Sequence, residues 1–184
     1  MSDKVPDGTK EMSISCLIEK LDSLEGEEAL RKMGQSAVPE LIRAALNPLP
    51  DREQESPSSL LRRTSAVQIL ADTGLSTEQW TQLNALIDEA APGLLIAVGR
   101  IAKHVGDEKS VRAVAGRLTK VIGHVDWYML DKIENMLVDI YETARPLIER
   151  TIAAHRRLPL EAQLSDFVLL TLTKVKERAG GVDE

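Results

Sequence analysis

The chain has one cysteine, Cys16, in 184 residues. It cannot close an internal disulfide and has no thiolate cluster for zinc, which suits a reducing cytosol. Aromatic residues make up only 3% of it, so Leu, Ile, Val and Ala must fill the core, and the composition leans towards helix. Alternating β-branched runs bounded by hairpin turns are missing. The longest uncharged, largely apolar run, AAPGLLIAVG from Ala90, is about half the roughly 20 residues that a membrane span requires. Acidic residues outnumber basic ones, 29 to 23, so the chain as a whole repels phosphate backbones and anionic lipid unless a local basic patch overrides that field. The opening stretch, MSDKVPDGTKEM, is polar and lacks the apolar segment of a secretory signal. It is expected to be a disordered tail over residues 1–12, on a soluble cytoplasmic protein.

Chemical motifs are scarce as well. There is no G-x-S-x-G elbow, no phosphate-binding glycine loop and no dinucleotide fingerprint. The three histidines, His104, His124 and His155, form no H-E-x-x-H or other close metal pair, and no metal site is expected. Asp107 follows His104 by three residues and Asp126 follows His124 by two, but both histidines fall near helix C-termini, where the dipole alone favours them. Nucleophilic, metal or cofactor chemistry has no anchor here, so no cofactor is expected and a non-enzymatic role leads.

What the chain does have is helical periodicity. From Ile14 onward apolar residues recur at intervals of three and four, which predicts helices at about 13–22, 25–33, 37–47, 58–73, 76–90, 93–105, 108–122, 127–142, 145–157 and 161–178. Punctuation supports this. Gly74 is followed by STEQ, where Ser76 caps and Gln79 reaches back, while Gly106 precedes DEKS and Gly123 follows Ile122. The links are short, which implies antiparallel hairpins within a single domain over residues 13–180. The exception is NPLPDREQESPSS, residues 47–59, a long loop that its prolines keep out of a packed helix.

The helical stretches also resemble one another. Laying AVPELI over ARPLI sets Pro39 on Pro146, 107 residues apart (39 to 146), a gap that three periods of about 36 fit. Laying SAVQILADTG (65–74) over AVGRIAKHVG (97–106) gives a spacing of 32 (74 to 106). A period in the thirties is that of stacked helical hairpins. AVPELIRAAL followed by RRTSAVQILADTG resembles HEAT repeats, in the short bacterial and archaeal form where A-x-P-x-L opens one helix and R-x-x-A-x-x-x-L-x-x-x-G makes the other. The likeness covers roughly residues 30–158 and is strongest at 36–74. It implies an all-α superhelix of about four helical hairpins, a solenoid that binds a partner on its concave face. Pro39 and Pro146 then belong in the first turns of equivalent helices, with Ser36 as the cap before Pro39.

In such arrays the second helix of each hairpin lines the concave face, and here the later members carry Arg112, Arg117, Lys120, Arg145, Arg150, Arg156 and Arg157. With Trp127 and Tyr128 close by in sequence, they form a candidate groove for an acidic protein partner. The alternative is a nucleic-acid-binding protein, or one akin to the HEAT-like DNA glycosylases, with Asp126 or Asp131 as its carboxylate. The competing structural reading makes these arginines a solvated face with i, i+4 partners and Trp127 a filler between repeats. Arg62 and Arg63 match the arginine of the repeat and are expected to brace a neighbouring loop, and Trp80 is expected in the core. The stretch DFVLLTLTKV, residues 166–175, is apolar nearly all round, and so is either a buried cap or a homodimer contact.

Overall fold

A computed structural model describes residues 13–180 apart from 22, 49, 52, 53, 90 and 165. The expected tail over residues 1–12 lies outside them, as does part of the 47–59 loop. The described chain is all-helical save for two-residue strands at Pro50–Asp51 (β1) and Gln54–Glu55 (β2), which pair antiparallel within that loop. The helices are α1 (Ile14–Glu19), α2 (Leu24–Met33), α3 (Val38–Leu46), α4 (Pro57–Thr73), α5 (Thr77–Leu83) and α6 (Leu86–Glu89). They continue with α7 (Pro92–His104), α8 (Glu108–Val121), α9 (Trp127–Asp139), α10 (Tyr141–His155), α11 (Leu160–Leu164) and α12 (Phe167–Gly180). Among the described residues, no helix is long and apolar enough to cross a membrane.

Local sequence explains most boundaries. Ser76 and Gln79 make the expected reciprocal cap of α5, each side chain bonding the other's backbone N–H at 3.2 and 2.9 Å. Gly74 and Gly106 follow α4 and α7 with φ of 79° and 75°, a left-handed conformation that glycine adopts without strain. The expected 76–90 helix breaks at Asn84–Ala85, where asparagine is a poor helix interior. The 161–178 helix is likewise two. Asp166 Oδ1 accepts from the backbone N–H groups of Val168 and Leu169 at 3.0 and 3.1 Å, a cap that starts α12 afresh.

Two expectations about proline punctuation need correcting. Pro39 does sit in the first turn of α3, but Ser36 lies in a 3-10 turn, Gly34–Ala37, and its hydroxyl donates backwards to the Met33 carbonyl at 2.8 Å instead of capping. Pro146 is inside α10, in its second turn. The cause is an apolar face that begins earlier: Tyr141, Ala144, Ile148 and Ile152 are all buried, so packing carries the helix through the exposed proline. The alignment of Pro39 with Pro146 therefore does not mark equivalent helix starts.

Packing sorts the helices into two rows. In one, α3 neighbours α5, α6 neighbours α8 and α8 neighbours α10; in the other, α4, α7, α9 and α12 are successive neighbours. The rows meet where α3 packs on α4, α7 on α8 and α10 on α12. Helices α4, α7 and α9 begin at Pro57, Pro92 and Trp127, 35 residues apart each time (57 to 92, 92 to 127). The pairing of SAVQILADTG with AVGRIAKHVG thus falls on two helices, α4 and α7, that lie side by side. Between the rows runs one apolar core, from Leu17 to Val175. Helix α12 closes its end, burying Leu169, Leu172 and Val175 while Phe167 and Leu170 stay exposed.

Polar ties join separate elements. Arg63 is buried and its Nε donates to the Ala45 carbonyl at 2.7 Å, which satisfies the C-terminal end of α3. Trp80, also buried, donates from Nε1 to Asp107 Oδ2 at 2.9 Å, and the Ser110 hydroxyl donates to the same oxygen at 2.7 Å. The Ser110 hydroxyl, with the Trp80 indole next, lowers the Asp107 carboxyl from its ordinary value, and backbone N–H groups of Ser110 and Lys109 add to this against the opposing effect of burial.

Two outcomes follow. Replacing Pro146 with Ala restores an N–H for the Glu142 carbonyl, and chemical denaturation is expected to show a gain of about 1–2 kcal/mol net of the freedom the unfolded chain regains. A loss would contradict a helix that runs through residue 146. Because the folded Asp107 carboxyl is lowered, its contribution is present above the unfolded value and lost as pH falls through the folded one. The stability gap between wild type and Asp107→Asn is therefore full at neutral pH and closes below about pH 4; a gap that widens in acid would contradict the assignment.

Candidate functional site

Helix α7 presents Gly93, Ile96, Ala97 and Arg100 on one side, at steps of three and four, and the neighbouring helices rise around that strip. Gln68 and Asp72 come from α4, Lys132, Asn135, Met136 and Asp139 from α9, and Arg31 from α2. Together they line an open groove of about 420 Å³. Its floor is apolar, since Ile96, Ala97 and Met136 are buried and glycine at 93 leaves room above the backbone. A Cβ on Gly93 would lie 3.7 Å from Met129 Cε and 3.8 Å from Thr64 Cγ2.

Charges stand along the walls. The Asp72 carboxylate is held by Arg31, and Asp139 Oδ1 by Lys103 Nζ at 2.5 Å. Asn135 Oδ1 accepts from Arg178 Nη2 at 2.8 Å, and Arg178 also lies 3.5 Å from the buried carboxylate of Glu134, which Lys174 bonds as well. This network fixes the α9 wall against α12. Lys132 Nζ sits 4.2 Å from the centre of the Tyr128 ring, a cation–π contact that leaves its N–H donors free to point elsewhere. Arg100 is exposed and makes no ion pair among the described residues.

The residues expected from sequence fall in two places. Arg112, Arg117 and Lys120 are on α8, Arg145 and Arg150 on α10, in the row of α3 and α5 and away from the lined groove. Three of them pair on the surface: Arg112 with Glu108 at 3.1 Å, Arg117 with Asp88 at 3.7 Å and Arg145 with Glu142 at 2.5 Å. Arg145 also covers the Tyr141 ring at 5.3 Å. Tyr128 is better placed. It shares a face of α9 with the lining residues Lys132, Asn135 and Asp139, at helical spacing, and its ring meets Lys132 Nζ. Trp127 is 76% exposed and does not fill a gap between repeats; it meets Phe167 edge to face at 6.1 Å beside a hollow of about 230 Å³.

Neither carboxylate considered for base chemistry is set up for it. Asp126 caps α9 through the Met129 N–H at 2.8 Å, and Asp131 accepts from Asn135 Nδ2 at 3.1 Å. His104 and His124 are exposed near helix ends. His155 Nδ1 lies 2.5 Å from Asp166 Oδ2. Burial is the largest single influence on the Asp166 carboxyl and pushes it up, but the His155 bond and charge and the two capping N–H groups together bring it below the ordinary value. This pair holds α12 to the end of α10. Among the described residues, no group of three His, Cys, Asp or Glu is placed to hold a metal.

Gln68, Asp72, Arg100, Asn135 and Asp139 are groove residues that pattern reading misses. Their signal was indirect: Gly93 and Ala97, four apart, mark a helix face that other groups approach, and the R-x-x-A-x-x-x-L-x-x-x-G stretch carries Gln68 and Asp72 at its variable positions. In chemical terms the groove offers fixed cations, amide and carboxylate hydrogen-bonding groups, and an apolar floor. No protein-family model, curated protein sequence or solved structure matches this chain, so the reading of the groove rests on its own chemistry.

Proposed function

We propose that the chain is a HEAT-like superhelix of about four helical hairpins, acting as a non-catalytic protein-binding module. The alternation of helices between two rows and the 35-residue spacing of α4, α7 and α9 support the array. The binding reading rests on one observation above all: an open groove spans successive helices, with its charged walls tied in place by Arg31–Asp72, Lys103–Asp139 and Arg178–Asn135. Side chains fixed before binding lose little freedom when a partner arrives, which favours affinity.

The nucleic-acid reading has less support. Three of the arginines it needs, Arg112, Arg117 and Arg145, are offset by Glu108, Asp88 and Glu142, and the overall charge of -6 opposes a polyanion. A photo-crosslinking side chain at position 135, in the groove, and at position 150, on the other row, separates the readings in the native cell. A discrete protein adduct at 135 and none at 150 is expected. Adducts at 150 alone, or oligonucleotide binding that weakens steeply with salt, would contradict the proposal.

A further inference from the structure

The groove has an unequal charge inventory, and the inequality specifies a partner. Its two carboxylates are committed to cations of this chain, Asp72 to Arg31 and Asp139 to Lys103. Two of its cations are not: Arg100 makes no ion pair among the described residues, and Lys132 rests on the Tyr128 ring. The same groove has an apolar floor of Ile96, Ala97 and Met136. A ligand that fits carries negative charge for Arg100 and Lys132 and an apolar group for the floor.

Resting on the protein-binding reading above, we propose that the groove takes an acidic peptide segment. Asp or Glu side chains of that segment meet Arg100 and Lys132, and an apolar side chain lies over Ile96 and Met136. A guanidinium receives a carboxylate in two parallel hydrogen bonds, and the Lys132 ammonium, held over Tyr128, adds a second point charge. Charge complementarity of this kind sets which partner is accepted and how fast it arrives. A continuous phosphate backbone fits less well. It carries no apolar group to set on the floor of Ile96, Ala97 and Met136, whereas a peptide can alternate acidic and apolar side chains.

A library of random dodecapeptides selected on the full chain tests this. The winners, made as fluorescent peptides, are titrated by anisotropy against wild type, the double variant Arg100→Glu/Lys132→Glu, the milder Arg100→Gln/Lys132→Gln, and Arg112→Glu/Arg150→Glu on the other row. Circular dichroism melts identify any variant that fails to fold, and the glutamine pair stands in if the glutamate pair does so. The expected winners combine Asp or Glu with an apolar residue. Their Kd rises about tenfold or more in the groove variants and less than about twofold in the other-row control. Neutral or basic winners, acidic winners that ignore the groove substitutions, or an oligonucleotide that displaces them from the same groove would each overturn the proposal. Neutral winners that still lose binding in the groove variants would overturn acidic recognition while leaving peptide binding standing. If no peptide is enriched and position 135 yields no protein adduct, both readings fall.

Discussion

The close approach of α8 and α9 to α7 is the constraint from which the remaining geometry follows. Gly99 is where it is tightest: a Cβ there would stand 2.7 Å from Met136 Cε and 2.9 Å from Val114 Cγ1, so both side chains would have to move to admit it. The missing Cβ lets a neighbour from each row press against the same turn of α7 without displacing those side chains. The groove is the complement of that contact. Where α7 lines the recess, Gly93 and Ala97 add little volume between Ile96 and Arg100, while Arg31, Gln68, Lys132 and Asn135 come from the elements around it. The same economy of side-chain volume that closes the core on one side of α7 opens a recess on the other.

Around this contact, burial stabilises the chain and polar ties set its register. Most ion pairs are exposed, and pairs of that kind each contribute about 1 kcal/mol or less. The ties that matter are those in which a buried side chain takes part: Arg63 on the end of α3, and Trp80 on Asp107. Each connects elements distant in sequence, and each removes a hydrogen-bonding group that would otherwise be left unsatisfied in the core. His155 and Asp166 do the same at the far end, where they hold the cap helix α12. Specificity of arrangement, more than net stability, is what such contacts supply, since a helix rotated by one turn would lose them.

Local chemistry was legible wherever a residue's meaning does not depend on distant parts of the chain. The Ser76 and Gln79 cap, the glycines after α4 and α7, the start of α3 at Pro39, the burial of Trp80 and the bracing role of Arg63 all belong to this class. Pro146 was misread because packing of Tyr141 and Ala144 outweighed the local preference of proline for a first turn. The arginines of α8 and α10 were assigned to the groove because a basic run looks functional in one dimension. Which row a helix joins is decided by its neighbours three dozen residues away, and several of those arginines had acidic partners within reach. Tyr128 was singled out and Arg100, which lines the recess, was not: an exposed aromatic is conspicuous in sequence, and a lone arginine on a helix is commonplace.

The path from composition to the groove therefore runs through a single dense contact. A chain poor in aromatics packs with aliphatic and small residues, small residues allow helices to close up on α7, and closure on one side leaves the recess on the other. Equilibrium denaturation of Gly99→Val, combined with amide hydrogen exchange, tests this most directly. If the contact organises the fold, the variant loses about 2 kcal/mol or more despite the better helix propensity of valine, and exchange accelerates first in α8 and α9. A variant within about 0.5 kcal/mol of wild type, with protection unchanged in those helices, would contradict the account.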